Sequence, residues 1–230
     1  MTRIGFIAAL EYEVKALKSA LHNIEESNIA GTTYYLGTIG NYEVVIMLCG
    51  MGKVSAALGT QAMISEYHPD FIINTGCAGA LAKDLKIGDI VISTKAVEWD
   101  LDTIKLGNPR GYISSLNCVY LDADNKIGDI ISAYIPEDVN VTMGLIVSGD
   151  QFVSSDIQKN TILDSFPKAL CAEMEGAAIA HVCTQNNVPF CIIRSMSDTA
   201  DGDSDVDFAE FSAIAGEKSA NVLLKMLYNE

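Results

Sequence analysis

The stretch RIGFIAALEYEVKALKSALHNI, Arg3 to Ile24, changes its hydrophobic period partway along. Its first part, RIGFIAAL, is almost unbroken apolar residue, the pattern of a strand covered on both faces. From Glu11 onward Val14, Leu17, Ala20, Leu21 and Ile24 recur at helical spacing, which predicts an amphipathic helix through Ile24. A strand that passes directly into a helix is the repeating unit of an α/β fold.

The same alternation continues along the chain. TTYYLGTIGNYEVVIMLCG predicts two strands around a turn at Gly40 and Asn41, and KVSAALGTQAMISEYH a helix stopped by Pro69. DFIINTGCAGAL reads as a strand running into a Gly-rich turn, and GDIVISTKAVEWD as another strand. Residues 106–117 are polar and weakly periodic, which predicts a loop. NKIGDIISAYI, DIQKNTILDSF and the closing DFAEFSAIAGEKSANVLLKMLY read as helices, VTMGLIVSGDQFV and VPFCIIRSMSD as strands. The expected architecture is α/β, one domain over residues 1–230, with a central mixed or mostly parallel β-sheet flanked by helices.

Composition narrows the function. A net charge of −15, with Arg3, Arg110 and Arg194 the only arginines, argues against nucleic acid, which demands a basic stripe. The apolar runs are far below the ~20 residues of a membrane span, and the N-terminus has no signal-peptide pattern, so the chain is expected to be cytoplasmic. Its 6 cysteines form no CxxC pair and suit reduced, buried thiols. With His22, His68 and His181 at no ligand-like spacing, neither a metal nor a cofactor is expected.

In α/β sheets ligands collect beyond the carboxyl ends of strands. Polar residues found there include Glu11 and Glu13, the CGMGK segment, NTGCAGA, SGDQFV, and Arg194, Ser197 and Asp198 of RSMSD. The glycine segments match neither a P-loop nor GxGxxG; each reads as a tight turn whose amides could also hold a ligand. Asp198 is open to two readings, a turn former or a catalytic carboxyl oriented by Ser197. Glu13 and the pair Glu173 and Glu175, which precede GAAIAHVC, suit a first helical turn equally well.

Taken in order, GFIAALEYEV, CGMGKVSAALG, INTGCAGAL, VSGDQF, AEMEGAAIAHVC and RSMSD resemble the 5′-methylthioadenosine/S-adenosylhomocysteine nucleosidases over nearly the whole chain. That resemblance implies the nucleoside phosphorylase-like fold, a homodimer, and hydrolysis of the N-glycosidic bond of 5′-thio-substituted adenine nucleosides. Asp198 falls where the family keeps the acid that protonates adenine N7, and Glu13 where it keeps the base that activates water. Glu175 matches the carboxylate on the ribose hydroxyls, and Met174 the side chain against the sugar. Phe152 matches the ring stacked on adenine, and Val153 offers backbone groups to its edge. Arg194 matches a residue near the water and Glu175, where its charge would keep that acid ionised. Glu173 is expected to face away and support the geometry.

By the same resemblance Ser197, Cys77 and Ala78 are substrate-binding positions, and Leu10, Met51 and Phe208 line an apolar 5′ pocket. Thr103, Ile104 and Leu106 would reach that pocket from the partner subunit. Two departures stand out: Cys77 replaces the usual serine, and the loop Val97 to Gly111 differs from the family pattern. Three alternatives stay open. A futalosine or aminofutalosine hydrolase would use the same acid and base. A purine nucleoside phosphorylase would need several arginines around phosphate. A non-catalytic nucleoside-binding protein would be expected to lack Glu13 or Asp198.

Overall fold

The computed structural model describes residues 1–198 and 208–229, and the side chains of residues 208–210 lie outside the described set. Strand β1 (Arg3–Ala8) leads into helix α1 (Glu11–Ser19), and β2 (His22–Ile29), β3 (Thr32–Ile39) and β4 (Tyr42–Leu48) follow. Helix α2 (Lys53–Tyr67) precedes β5 (Phe71–Ala80), β6 (Ile90–Glu98) and the short β7 (Leu121–Asp122). Then come α3 (Asn125–Ser132), β8 (Val141–Ser148), α4 (Asp156–Ser165), β9 (Ala169–Glu173) and α5 (Gly176–Gln185). Strand β10 (Phe190–Asp198) and helix α6 (Phe208–Asn229) complete the series. Among the described residues no helix is long and apolar enough to cross a membrane.

The strands form a mixed sheet in the order β10-β6-β8-β9-β5-β1-β4-β3-β2, with β7 added on β6. Strand β10 also pairs with β5, so β5, β10, β6, β8 and β9 close on themselves as a small barrel. Strand β1 lies between β4 and β5, parallel to both. Its unbroken apolar character has a plain cause: Ile4 and Phe6 face one core with Val14, Leu17, Leu223 and Met226, whereas Ile7 faces the other with Ala56, Met63 and Ile179. Helices α1 and α6 cover one face of the central strands, α2 and α5 the opposite one.

Two expectations are corrected. Helix α1 stops at Ser19, and His22–Ile29 is an edge strand paired antiparallel with β3. Ile24, expected on the apolar side of a helix, is 53% exposed. Pairing with β3 outweighs the helical spacing of that last turn, a tertiary override of a local pattern. The second correction concerns NTGCAGA, which is the continuation of β5 through Ala80, not a turn. The glycines of CGMGK, by contrast, do form the expected turn, with φ of 74° at Gly50 and 97° at Gly52.

The site's position follows from the topology. Strands β5 and β9 run antiparallel and overlap only at Gly79↔Ala172 and Ala80↔Cys171, near the carboxyl end of each. Two oppositely directed groups of strands therefore deliver their carboxyl ends to one place.

Candidate active site

The ends of β1, β4, β5, β8, β9 and β10 open on one cleft, the concave setting in which small-molecule sites lie. Its lining comprises Ala9, Leu10 and Glu13 at the start of α1, Met51 before α2, and Cys77, Ala78 and Gly79 on β5. Gln151, Phe152 and Val153 follow β8, Ala172 to Glu175 span the β9–α5 junction, and Ser197 and Asp198 end β10.

Glu13 is buried in the first turn of α1. Its Oε2 accepts the backbone N–H groups of Ala9 at 3.0 Å and Leu10 at 2.9 Å, and Oε1 accepts that of Cys77 at 3.1 Å. The same carboxylate thus caps the helix and joins β1 to β5. Its two suggested roles are compatible in one geometry.

Asp198 is also buried, at a bulge where the β10–β5 register shifts. The Ser197 hydroxyl donates to Asp198 Oδ2 at 3.0 Å, and the Ala78 carbonyl lies 3.4 Å from the same hydroxyl. When Asp198 is ionised Ser197 donates to it; when Asp198 holds a proton Ser197 can donate to the Ala78 carbonyl and accept from Asp198. The pair can follow a change of protonation without leaving a group unsatisfied.

Glu175 is the residue before α5, on the cleft side, and its Oε1 accepts the Gly52 N–H at 2.8 Å. Burial, reinforced by the charge of Glu173, pushes its carboxyl up to about 8. Arg194 does not reverse this. Its Nη2 stands 3.8 Å from Glu175 Oε2, whereas it forms a close ion pair with Glu173 and donates to Asn74 Oδ1 at 2.6 Å. Arg194 makes its closer ion pair with Glu173 and a longer one with Glu175, so it favours the ionised form of Glu175 against the burial and the Glu173 charge that oppose it.

Cys77 lines the cleft between Glu13 and Ala78, and burial pushes its thiol up to about 12 with a further contribution from Glu13. At neutral pH it is a thiol, a weak donor facing the site.

The structure therefore brings together Leu10, Glu13, Met51, Cys77, Ala78, Phe152, Val153, Met174, Glu175, Ser197 and Asp198. Arg194 lies fully buried behind them. Thr103 sits before a single 3-10 turn, Ile104–Leu106, away from the cleft, with Ile104 and Leu106 50% and 80% exposed. The side chain of Phe208 lies outside the described residues. Sequence reasoning missed Asn74, Ser148 and the Gly52 amide. The signal for the first two was present, since each is a polar residue inside an otherwise apolar strand and must find a partner when buried.

The phosphorylase superfamily model matches residues 3–228. The chain is 42% identical over 224 residues to the 5′-methylthioadenosine/S-adenosylhomocysteine nucleosidase of Staphylococcus carnosus (strain TM300), covering 97% of this chain and 98% of that one. The nucleosidase of Neisseria meningitidis in complex with methylthio-immucillin-A superposes with a TM-score of 0.95 at 34% identity, over 100% of both chains. That of S. pneumoniae with the transition-state inhibitor MT-ImmA does so at 0.93 and 37% identity, over 99% of both.

Proposed function

The chain belongs to the 5′-methylthioadenosine/S-adenosylhomocysteine nucleosidase family within the phosphorylase superfamily, and on that premise we propose that it hydrolyses both nucleosides to adenine and the thioribose. The observation that carries this reading is the convergence of Glu13, Glu175 and Asp198 on one cleft with apolar Leu10, Met51 and Phe152. Asp198 delivers its proton to N7 of adenine as the glycosidic bond stretches, so the base leaves neutral. Positive charge spreads over the ribose ring, where nearby carboxylates stabilise it. Glu13 takes a proton from the water whose oxygen bonds to C1′. Glu175 holds the ribose hydroxyls with Met174 against the sugar, Phe152 stacks on adenine, and Val153 meets the base edge. Ser197 orients Asp198, while Cys77 and Ala78 line the sugar side.

Water rather than phosphate is the nucleophile. Phosphate needs free cationic donors, and Arg194 is committed to Glu173 and Asn74. Arg3 pairs with Glu43, and Arg110 with Asp102. The working form is a cytoplasmic homodimer in which Thr103 of the second copy completes the 5′ pocket together with Phe208.

Incubation with 5′-methylthioadenosine, with and without phosphate, tests the proposal. Free adenine and methylthioribose at a rate indifferent to phosphate are expected. Methylthioribose 1-phosphate, or no turnover, overturns it.

A further inference from the structure

Glu173 is buried, yet its carboxylate has a full set of donors. Oε2 accepts the backbone N–H groups of Glu175 at 3.1 Å and Gly176 at 2.7 Å, and also the Arg194 guanidinium. Oε1 accepts the Ser148 hydroxyl, whose oxygen in turn accepts the Ala177 N–H at 2.6 Å. Three successive amides at the start of α5 are thus held by one acid and its serine. Helix starts leave such amides without partners, and here they belong to Glu175, which faces the cleft, and to the two residues after it.

A neutral cap such as Ser or Asn would satisfy those amides as well. The carboxylate adds a counter-charge for a fully buried arginine. We propose that Glu173, with Ser148, is a positioning residue: it locks the Met174–Glu175 turn against the cleft and draws the Arg194 guanidinium into its own close ion pair, leaving Glu175 only the longer one. This rests on the reading of Glu175 as the ribose carboxylate. A carboxylate closely occupied by an arginine would have fewer lone pairs for a sugar diol, whereas among the described residues Glu175 accepts the Gly52 amide and holds Arg194 at the longer distance of 3.8 Å.

The charged and titratable groups facing Glu175 are Glu173 from β9, Arg194 from β10, Glu13 from α1 and Cys49 after β4. Arg194 is the one cation among them, and its distance from Glu175 sets how far it offsets the burial and the Glu173 charge. In Glu173→Gln the amide-accepting oxygen survives and the counter-charge does not. Arg194 is then expected to turn to Glu175, and Glu175 to lose its proton at lower pH.

The test measures 5′-methylthioadenosine hydrolysis by wild type, Glu173→Gln and Ser148→Ala from about pH 5 to about pH 10, with a crystal structure of Glu173→Gln. Expected are a loss of kcat of about 10²-fold in Glu173→Gln, an acid limb of kcat/KM moved to lower pH, and Arg194 paired with Glu175. Ser148→Ala should lose less and keep its limb in place. Wild-type kcat with an unmoved limb in Glu173→Gln overturns the inference, as does a structure in which Arg194 has not moved. A wild type without hydrolysis refutes the functional reading instead, and the Arg194 position in the variant still judges this one.

Discussion

Gly76 and Arg194 are direct partners across the β5–β10 ladder, and the space left by the glycine is where the arginine side chain lies. A Cβ at Gly76 would meet Arg194 Nη1 and stand 2.5 Å from Glu13 Oε1. The glycine is required for close approach, not for an unusual φ. Gly76→Ala should therefore displace both groups, costing about 1–3 kcal/mol in stability and about 10²-fold or more in kcat. Urea unfolding and steady-state kinetics check both, and near wild-type turnover would show that the two side chains can give way.

Asp198→Asn and Glu13→Gln keep size and polarity while removing the acid and the base. Each should lower kcat by about 10²–10⁴-fold with far-ultraviolet circular dichroism unchanged. Glu13→Gln should also lose some stability, because its carboxylate accepts three backbone N–H groups. If either variant turns over at nearly the wild-type rate, its role belongs to another group.

The Glu175 carboxyl, raised to about 8, links stability to pH. A carboxyl raised in the folded state stays protonated there while the unfolded chain ionises from about pH 4.3 upward. Its contribution is therefore full below that pH and is lost as pH rises toward about 8. Glu175→Gln should match wild type near pH 4 and exceed it by a few kcal/mol at most at pH 8, each tenfold in ionisation being worth about 1.4 kcal/mol. Melting temperatures across that range decide it; a variant less stable than wild type at pH 8 refutes the sign. Its activity should fall, the usual trade between a strained site and stability.

Cys77 stands as a neutral thiol where relatives of this family are expected to carry serine. Cys77→Ser supplies a stronger hydrogen-bonding group beside Glu13, worth about 0.5–1.5 kcal/mol. A rise of roughly two- to tenfold in kcat/KM is expected. The native protein should resist iodoacetamide at this position at pH 7, since burial holds the thiol near 12. Rapid alkylation of Cys77 in the folded protein, followed by peptide mass spectrometry, would contradict that.

Lys53 ties the loop after β6 to the start of α2. Its Nζ donates to Glu98 at 3.0 Å and Asp100 at 2.7 Å, and Asp100 in turn accepts the N–H of Asp150, two residues before Phe152. Burial alone would push Glu98 up, but His181 and Lys53 beside it bring its carboxyl below the usual carboxylate range. Lys53→Met should cost about 2 kcal/mol, between exposed and fully buried ion pairs. It should raise KM for the nucleoside more than it lowers kcat, because the segment carrying Phe152 loosens.

Much of the site was legible because its residues follow apolar strands, and strand ends in an α/β sheet are where ligands lie. Glu13 and Asp198 stood out that way, each open to a structural reading as well, whereas Glu175 and the roles of all three came from the family that the ordered motifs resemble. What escaped were groups whose meaning depends on a partner far along the chain. Ser148 and Asn74 look like minor polar breaks in β8 and β5, and become significant only when Glu173 and Arg194 arrive beside them.

The sequence by itself determined the alternation of strands and helices and the two-sided burial of β1, since local period needs no long-range information, and its ordered motifs named the cleft residues through the family they resemble. Tertiary structure alone decided that β2 is an edge strand, that NTGCAGA is ladder rather than turn, and that the barrel closes through β5 and β10. It also gave the two acids of AEMEG, already set apart by the resemblance, their different partners. Their spacing is symmetric in the chain, yet Arg194 chose Glu173, and a guanidinium pairs with whichever carboxylate the packing brings into contact.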